Sequence, residues 1–123
     1  MTRLERKVRV WQRRLRLTDW EITVEYNTDP DWRNYGDIGP IPGRKEAILT
    51  LSTHIPADRQ DWVIVHEFVH LLIWPMNTVA DAWSYSLPAK SRMTHAQQWV
   101  EVTEQVVDNL ARLYAAEPPR PVE

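Results

Sequence analysis

Two histidines and a glutamate within five residues are the side chains of this sequence best suited to chemistry. They form the pattern His66-Glu67-Phe68-Val69-His70. On a helix, His66 and His70 lie one turn apart on one face, so both imidazoles can reach a single metal ion. Glu67 follows the first histidine, where its carboxylate can reach a metal-bound water rather than the metal. The pattern therefore predicts half of a zinc site with a general base beside it.

The surroundings of this pattern predict that its helix is buried. Every other side chain from Val63 to Trp74 is apolar, which is typical of a helix that is covered on most sides. Two histidines and a carboxylate would be costly to bury there without partners. We therefore expect the polar trio to lie at the floor of a cleft. Chance occurrence of the pattern and two hydrogen-bonded core histidines are the alternatives.

A third ligand must come from another part of the chain, because a catalytic zinc usually takes three protein ligands and one water. The predicted C-terminal helix offers Glu101 and Glu104. At 100° per residue, Glu104 lies at the edge of the helix's apolar face and Glu101 lies on the solvent side, so Glu104 is the predicted ligand. Asp108 lies one turn further on and can accept a hydrogen bond from the non-metal nitrogen of a ligand histidine. The alternative is that these acids are solvated surface residues.

At these residues the chain resembles a known family. HEFVH, followed by EQVVD in a later helix, looks like the gluzincin branch of the zincin metallopeptidases. Those enzymes carry H-E-x-x-H and then a glutamate ligand within E-x-x-x-D. The chain is similar in particular to small metallopeptidases of phages and their bacterial hosts. The resemblance covers roughly residues 4 to 114, and its specific part is about ten residues.

The resemblance implies roles for individual residues of this chain. It implies that His66, His70 and Glu104 bind one zinc ion, that Glu67 is the general base and acid, and that Asp108 supports His66. The implied reaction is hydrolysis of a bond in a peptide or protein substrate.

The resemblance also implies a substrate strand. It makes strand 46–52 the edge along which an extended peptide pairs, through Leu49, Thr50 and Leu51. The chain departs from larger relatives in two ways: 33 residues separate His70 from Glu104, and no separate C-terminal domain follows. The side chain that stabilises the oxyanion is therefore unassigned. The candidates are Tyr85, His95 and Tyr114.

The elements that position these residues predict an α+β fold, a minimal zincin-like domain over residues 1–117 with a Pro-rich tail at 118–123. An amphipathic helix comes first and is followed by an alternating strand at 20–26. The segment 27–43 is predicted to be mostly loop, with room for a short strand at 35–38. The strand at 46–52 completes a sheet of two to four strands.

The second half of the chain is predicted to hold two helices joined by a long loop. Pro56 gives a start signal for the helix of the histidines, and Pro75 is predicted to end it. The connection 75–93 is long for a compact domain, has room for a short helical piece at 79–85, and is predicted to act as a lid or site wall. The final helix is predicted to begin at a capping box, Thr94 to Gln97.

Composition excludes several classes of protein. The chain has no cysteine, so disulfides and cysteine-ligated metal sites are excluded. No apolar run reaches the roughly 18 residues that a membrane span needs, and the N-terminus does not have the pattern of a signal peptide. We therefore expect a monomer in the cytoplasm with no membrane partner.

The basic N-terminal helix suggests a second interpretation. Residues 1–17 hold seven of the fifteen basic residues, but no nucleic-acid-reading pattern accompanies them, so nucleic-acid binding is not favoured. The rival to an enzyme is a non-catalytic or latent zinc-stabilised accessory protein of phage or host, whose basic helix binds a partner. A fourth protein ligand, such as His54 or His95, would favour that structural site.

Overall fold

The computed structural model describes residues 1–115. These residues form four α-helices and a three-stranded mixed sheet, so the predicted α+β class is confirmed. The predicted tail at 118–123 lies outside the described residues. The strands and helices, in chain order, are α1 (Arg3–Arg14), β1 (Glu21–Asn27), β2 (Gly36–Pro40), β3 (Glu46–Ser52), α2 (Gln60–Leu72), α3 (Trp74–Ser84) and α4 (Ala89–Tyr114).

The sheet places β3 in its centre, between β1 and β2. It runs parallel to β1 and antiparallel to β2, and Leu51 of β3 pairs with Gly36 of β2. The prediction that Leu49, Thr50 and Leu51 form a substrate-binding edge is therefore wrong, since both edges of β3 are already paired. The apolar alternation of β3 suits a central strand, and Leu49 and Leu51 are fully buried. The edge strands are β1 and the short strand β2.

The helix of the histidine motif, α2, is the centre of the hydrophobic core. Eight of its thirteen residues are buried, including Ile64, Val65 and Phe68. It packs against α1, β2 and α4. A helix with apolar side chains on nearly all sides needs such cover to leave water. The prediction of a buried motif helix is confirmed.

Some side chains of the basic helix α1 form hydrogen bonds within the molecule. Lys7 donates to the Asp61 carboxylate at 3.1 Å, and the Trp11 indole nitrogen donates to the other Asp61 oxygen at 2.8 Å. Arg9 donates to the carbonyl oxygen of Ile22 at 3.0 Å. These contacts fix α1 to the start of α2 and to β1.

The connection between α2 and α4 is more helical than predicted: α3 is longer than the short helical piece allowed at 79–85, and α4 begins within the predicted loop at 75–93. The chain bends by 52° after α2, and Pro75 lies in the first turn of α3 rather than ending a helix. Proline fits there because first-turn amides have no partner within the helix. Likewise α4 begins after Pro88, so Thr94 lies inside the helix and the predicted capping box is wrong.

A helix that crosses a membrane must be both long and apolar. No single helix among residues 1–115 is long and apolar enough to cross a membrane. The bent pair of α2, with its preceding turn, and α3 reaches the length and composition only when joined. The apolar character of α2 is explained by its burial in the core.

Candidate metal centre

The two histidines share one face of α2, as their spacing predicts. Their rings lie 5.1 Å apart, centre to centre, and are nearly parallel, at 26°. The ring of Trp62, one turn before His66 on α2, lies 5.8 Å from the His66 ring, centre to centre. Both histidines are about one-fifth exposed, at 22% for His66 and 21% for His70. Most of each imidazole is therefore covered by neighbouring side chains.

Helix α4 brings Glu104 to this face. The helix buries a narrow stripe of residues four apart, Thr103, Val107 and Ala111. Glu104 and Asp108 each follow a stripe residue by one position, so both lie beside the contact with α2. The wide apolar face that the sequence predicts for α4 is only partly buried. Its exposed members are Val100, Val102, Val106, Leu113 and Tyr114.

The three predicted ligands converge at their donor atoms. The Nε2 atom of His66 lies 3.4 Å from one carboxylate oxygen of Glu104, and Nε2 of His70 lies 3.1 Å from the other. One donor atom from each residue lies within 4.8 Å of the others. Four donors arranged tetrahedrally at zinc bond lengths are about 3.4 Å apart. Two imidazole nitrogens and a carboxylate at these separations fit a metal ion, so His66, His70 and Glu104 can hold one.

Glu67 lies beside this group, under the edge strand β2. Its side chain is buried, with 8% of its surface exposed. Gly36 packs directly on it: a Cβ atom at this glycine would lie 3.1 Å from Cγ and 3.6 Å from Cδ of Glu67. The glutamate therefore reaches the cleft from beneath a wall of strand backbone.

The surroundings of Glu67 disfavour its ionised form. Burial is the main cause, and the negative charges of Asp37 and Glu104 add to it, which together raise the pKa of Glu67 from 4.5 to about 8. A carboxyl group in this state accepts and releases protons near neutral pH. This is the behaviour expected of a general base and acid.

A cleft of about 420 Å³ contains the whole group. Its floor is the histidine face of α2, and Glu104 closes one side. Trp74 separates it from a second depression of about 250 Å³, which His70 and Glu104 also line. The residues that line the main cleft are Asn34, Gly36, Asp37, Ile38, His66, Glu67, His70, Trp74 and Glu104.

Asp108 is close to the group but makes a different contact from the predicted one. Its carboxylate lies 3.8 Å from Nε2 of His66. That is the nitrogen that faces Glu104, whereas the sequence predicts a hydrogen bond with the opposite ring nitrogen. At 3.8 Å the contact is electrostatic rather than a hydrogen bond. Asp108 therefore adds negative charge beside His66.

The predicted oxyanion candidates are not brought to the cleft. Tyr85 is 74% exposed beyond the end of α3, where it stacks with Arg92. His95 lines a separate depression on α4. Tyr114 lies ten residues after Glu104 on the same helix, about 15 Å along its axis. None of the three lines the cleft.

The histidines that would complete a closed, structural site lie elsewhere as well. His54 contacts the carbonyl oxygen of Thr28 at 3.1 Å in the loops beyond the sheet, and neither His54 nor His95 lines the cleft. Within residues 1–115, the metal-binding group consists of three protein ligands. Three is the number typical of catalytic zinc sites, whereas structural sites use four.

Sequence reasoning missed the other wall of the cleft. Asn34, Gly36, Asp37 and Ile38 belong to a segment that is predicted to be mostly loop. The short strand allowed at 35–38 is present as β2, but the sequence does not show that it lies against α2. Trp74 directly follows the motif helix, but its position on the wall depends on the bend before α3. No local signal places any of these residues near His66.

In comparisons with known proteins, no family model, no curated protein and no solved structure matches this chain. The metal-binding group and its cleft are therefore interpreted from their own geometry.

Proposed function

We propose that this protein is a zinc-dependent metallopeptidase of the gluzincin type, with Glu67 as its general base and acid. The observation that carries the proposal is the meeting of His66, His70 and Glu104 in one cleft with a buried glutamate beside them. A zinc ion at such a site supplies a water with a pKa near 7 and a cation that polarises a carbonyl group.

The protein's own residues supply the proton transfers. The Glu67 carboxylate accepts a proton as the water oxygen attacks the carbonyl carbon of the peptide bond. It then delivers that proton to the amide nitrogen as the carbon–nitrogen bond breaks. The burial of Glu67 supports this role, because it holds the carboxyl group in the cleft beside His66, His70 and Glu104 and largely out of bulk water.

The edge strand β2 provides a place for an extended substrate. Among the described residues it pairs only with β3, so its outer backbone groups are available to a peptide. Residues 36–38 line the cleft directly. We assign substrate pairing to residues 36–38, in place of the central strand β3.

The deciding experiment combines metal analysis with a search for cleavage. The purified protein is expected to contain one zinc per chain and to cleave members of a broad peptide library, with activity lost in chelator and restored by zinc. Glu67→Gln should keep the zinc and lose hydrolysis, because it removes the proton acceptor but no ligand. His70→Ala should lose both.

Two outcomes would contradict the proposal in different ways. Hydrolysis that persists in Glu67→Gln would remove the assigned role of Glu67. Zinc that is bound tightly without cleavage of any peptide would favour the rival, a zinc-stabilised accessory protein. Glu101→Gln is the matched control, since Glu101 is an exposed acid on α4 that does not line the cleft.

A further inference from the structure

Gly36 makes an unusually close approach to the motif helix. It begins β2 and is buried against α2, where a Cβ atom would lie 2.8 Å from Cγ1 of Val63 and 3.1 Å from Cγ of Glu67. Contacts below 3.0 Å do not occur for real Cβ atoms, and 3.1 Å is tighter than nearly all of them. Any side chain at position 36 must therefore displace the strand, Val63 or Glu67.

The neighbours of Gly36 leave little freedom to absorb such a displacement. Val63 is 6% exposed, and its branched side chain is stiff. On the other side, the strand is fixed to β3: the Ser52 amide donates to the Tyr35 carbonyl oxygen at 2.7 Å, and Gly36 pairs with Leu51. Glu67 is the unbranched side chain of the set, so it is the one expected to move.

A second glycine of β2 serves as a comparison for Gly36. Gly39 lies three residues further along β2, and a Cβ atom there would meet nothing within 4 Å. A glycine inside a strand ordinarily destabilises it relative to alanine. The edge strand therefore does not need glycine in general, whereas position 36 needs it because of α2.

We propose that Gly36 is a positioning residue for Glu67: by having no side chain, it lets the β2 backbone rest on the glutamate and hold the carboxylate toward the metal-binding group. This inference rests on the proposed function for its catalytic consequence. Its structural part, the contact between residue 36 and the Glu67 side chain, is testable without any activity. The alternative is that Gly36 serves packing against Val63 alone.

The first test is a double-mutant cycle on folding, measured by urea denaturation of the chelator-treated protein. Glu67→Ala removes both Glu67 atoms that a Cβ atom at position 36 would approach. Gly36→Ala should therefore lower the folding equilibrium constant roughly tenfold more in the wild-type background than in the Glu67→Ala background. An equal loss in both backgrounds would overturn the proposal, because Val63 would then carry the whole effect.

The second test separates positioning from packing through kinetics. Val63→Ala removes the closest clash but leaves the Glu67 contact, so it protects the fold of a Gly36→Ala chain. Relative to Val63→Ala, the double variant should keep zinc affinity within about twofold and lose kcat by tenfold or more, with a smaller change in KM. A displacement of about 1 Å at a reacting group has effects of this size. Unchanged kcat in the double variant would overturn the proposal.

Gly39→Ala is the control for both tests. It should leave kcat and zinc affinity unchanged. The folding equilibrium constant should stay equal or rise, because alanine restricts the unfolded backbone and its methyl group meets no neighbour in the folded chain. A loss of kcat in Gly39→Ala equal to that in Gly36→Ala would mean that any side chain on β2 disturbs the site, which contradicts the proposal. If the wild type cleaves no peptide, the proposed function fails, and the folding cycle still decides the contact.

Discussion

Burial of Glu67 makes the metal-free protein less stable as pH rises. Its pKa is about 8 in the folded chain and 4.5 as an ordinary glutamate. Between these values the folded state binds more protons than the unfolded state, so the free energy of unfolding falls with pH, by about 1.4 kcal/mol per unit. From pH 4.5 to pH 7 the loss is about 3 kcal/mol, a large part of a small domain's stability.

Glu67→Gln should remove this loss. Glutamine keeps the shape of the protonated glutamate and cannot ionise, so wild type and variant should have similar stability near pH 4.5. At pH 7 the metal-free variant should be more stable than the wild type by about 3 kcal/mol. Above pH 8 the difference should level off, because Glu67 of the wild type is then ionised in both the folded and the unfolded chain.

The assay is urea denaturation in chelator at a series of pH values from 4.5 to 8.5, followed by tryptophan fluorescence. The comparison uses the difference between the two proteins, so that contributions common to both largely cancel. Glu101→Gln, which changes an exposed acid, should parallel the wild type. Parallel profiles of wild type and Glu67→Gln would refute the reasoning, because they would show that Glu67 ionises in the folded chain as easily as in the unfolded one.

Two further predictions concern the third ligand and the attachment of α1. Glu104→Ala should abolish high-affinity zinc binding, whereas Glu101→Ala should not, as measured by zinc competition with a chromogenic chelator; loss only with Glu101→Ala would reject the assigned ligand. Asp61→Ala should lower the free energy of unfolding at pH 7 by about 1 to 2 kcal/mol, because it removes the contacts with Lys7 and Trp11. Burial alone would raise the pKa of Asp61, but these two hydrogen bonds, together with the positive charges of Lys7 and Arg14, outweigh it and lower the pKa below 3.8. The stabilisation is therefore present above pH 3.8 and should vanish in denaturation curves as the pH falls below the lowered value.

The parts of the site that depend on local periodicity were predictable. His66 and His70 share a face because they are four residues apart, and this holds for any helix, whatever packs around it. Glu104 could be preferred over Glu101 because it lies next to the buried stripe of α4, even though that stripe proved narrower than the predicted apolar face. Helical geometry decides both results.

The wrong predictions concern the place of a strand within the sheet and the side of a proline on which a helix lies. The alternation of β3 showed a buried strand but carried no information about its place in the sheet, so a central strand was taken for an edge. Pro75 is predicted to end α2, whereas it lies in the first turn of α3. Pro88, within the predicted connection 75–93, directly precedes α4. Proline marks a boundary between helices, but it does not say which side of the boundary continues as helix.

The wall of the cleft shows why the remainder could not be predicted. Gly36 lies 31 positions before Glu67 in the chain, and its need for glycine arises only when β2 and α2 are brought together. In isolation it resembles Gly39, which occupies open space. The close approach of β2 to α2, which requires glycine at position 36, also helps to bury Glu67. Burial in turn raises the pKa of Glu67. A small domain with a three-stranded sheet thus obtains a shaped cleft by placing an edge strand directly on its core helix, and a single methyl group at position 36 is enough to test that arrangement.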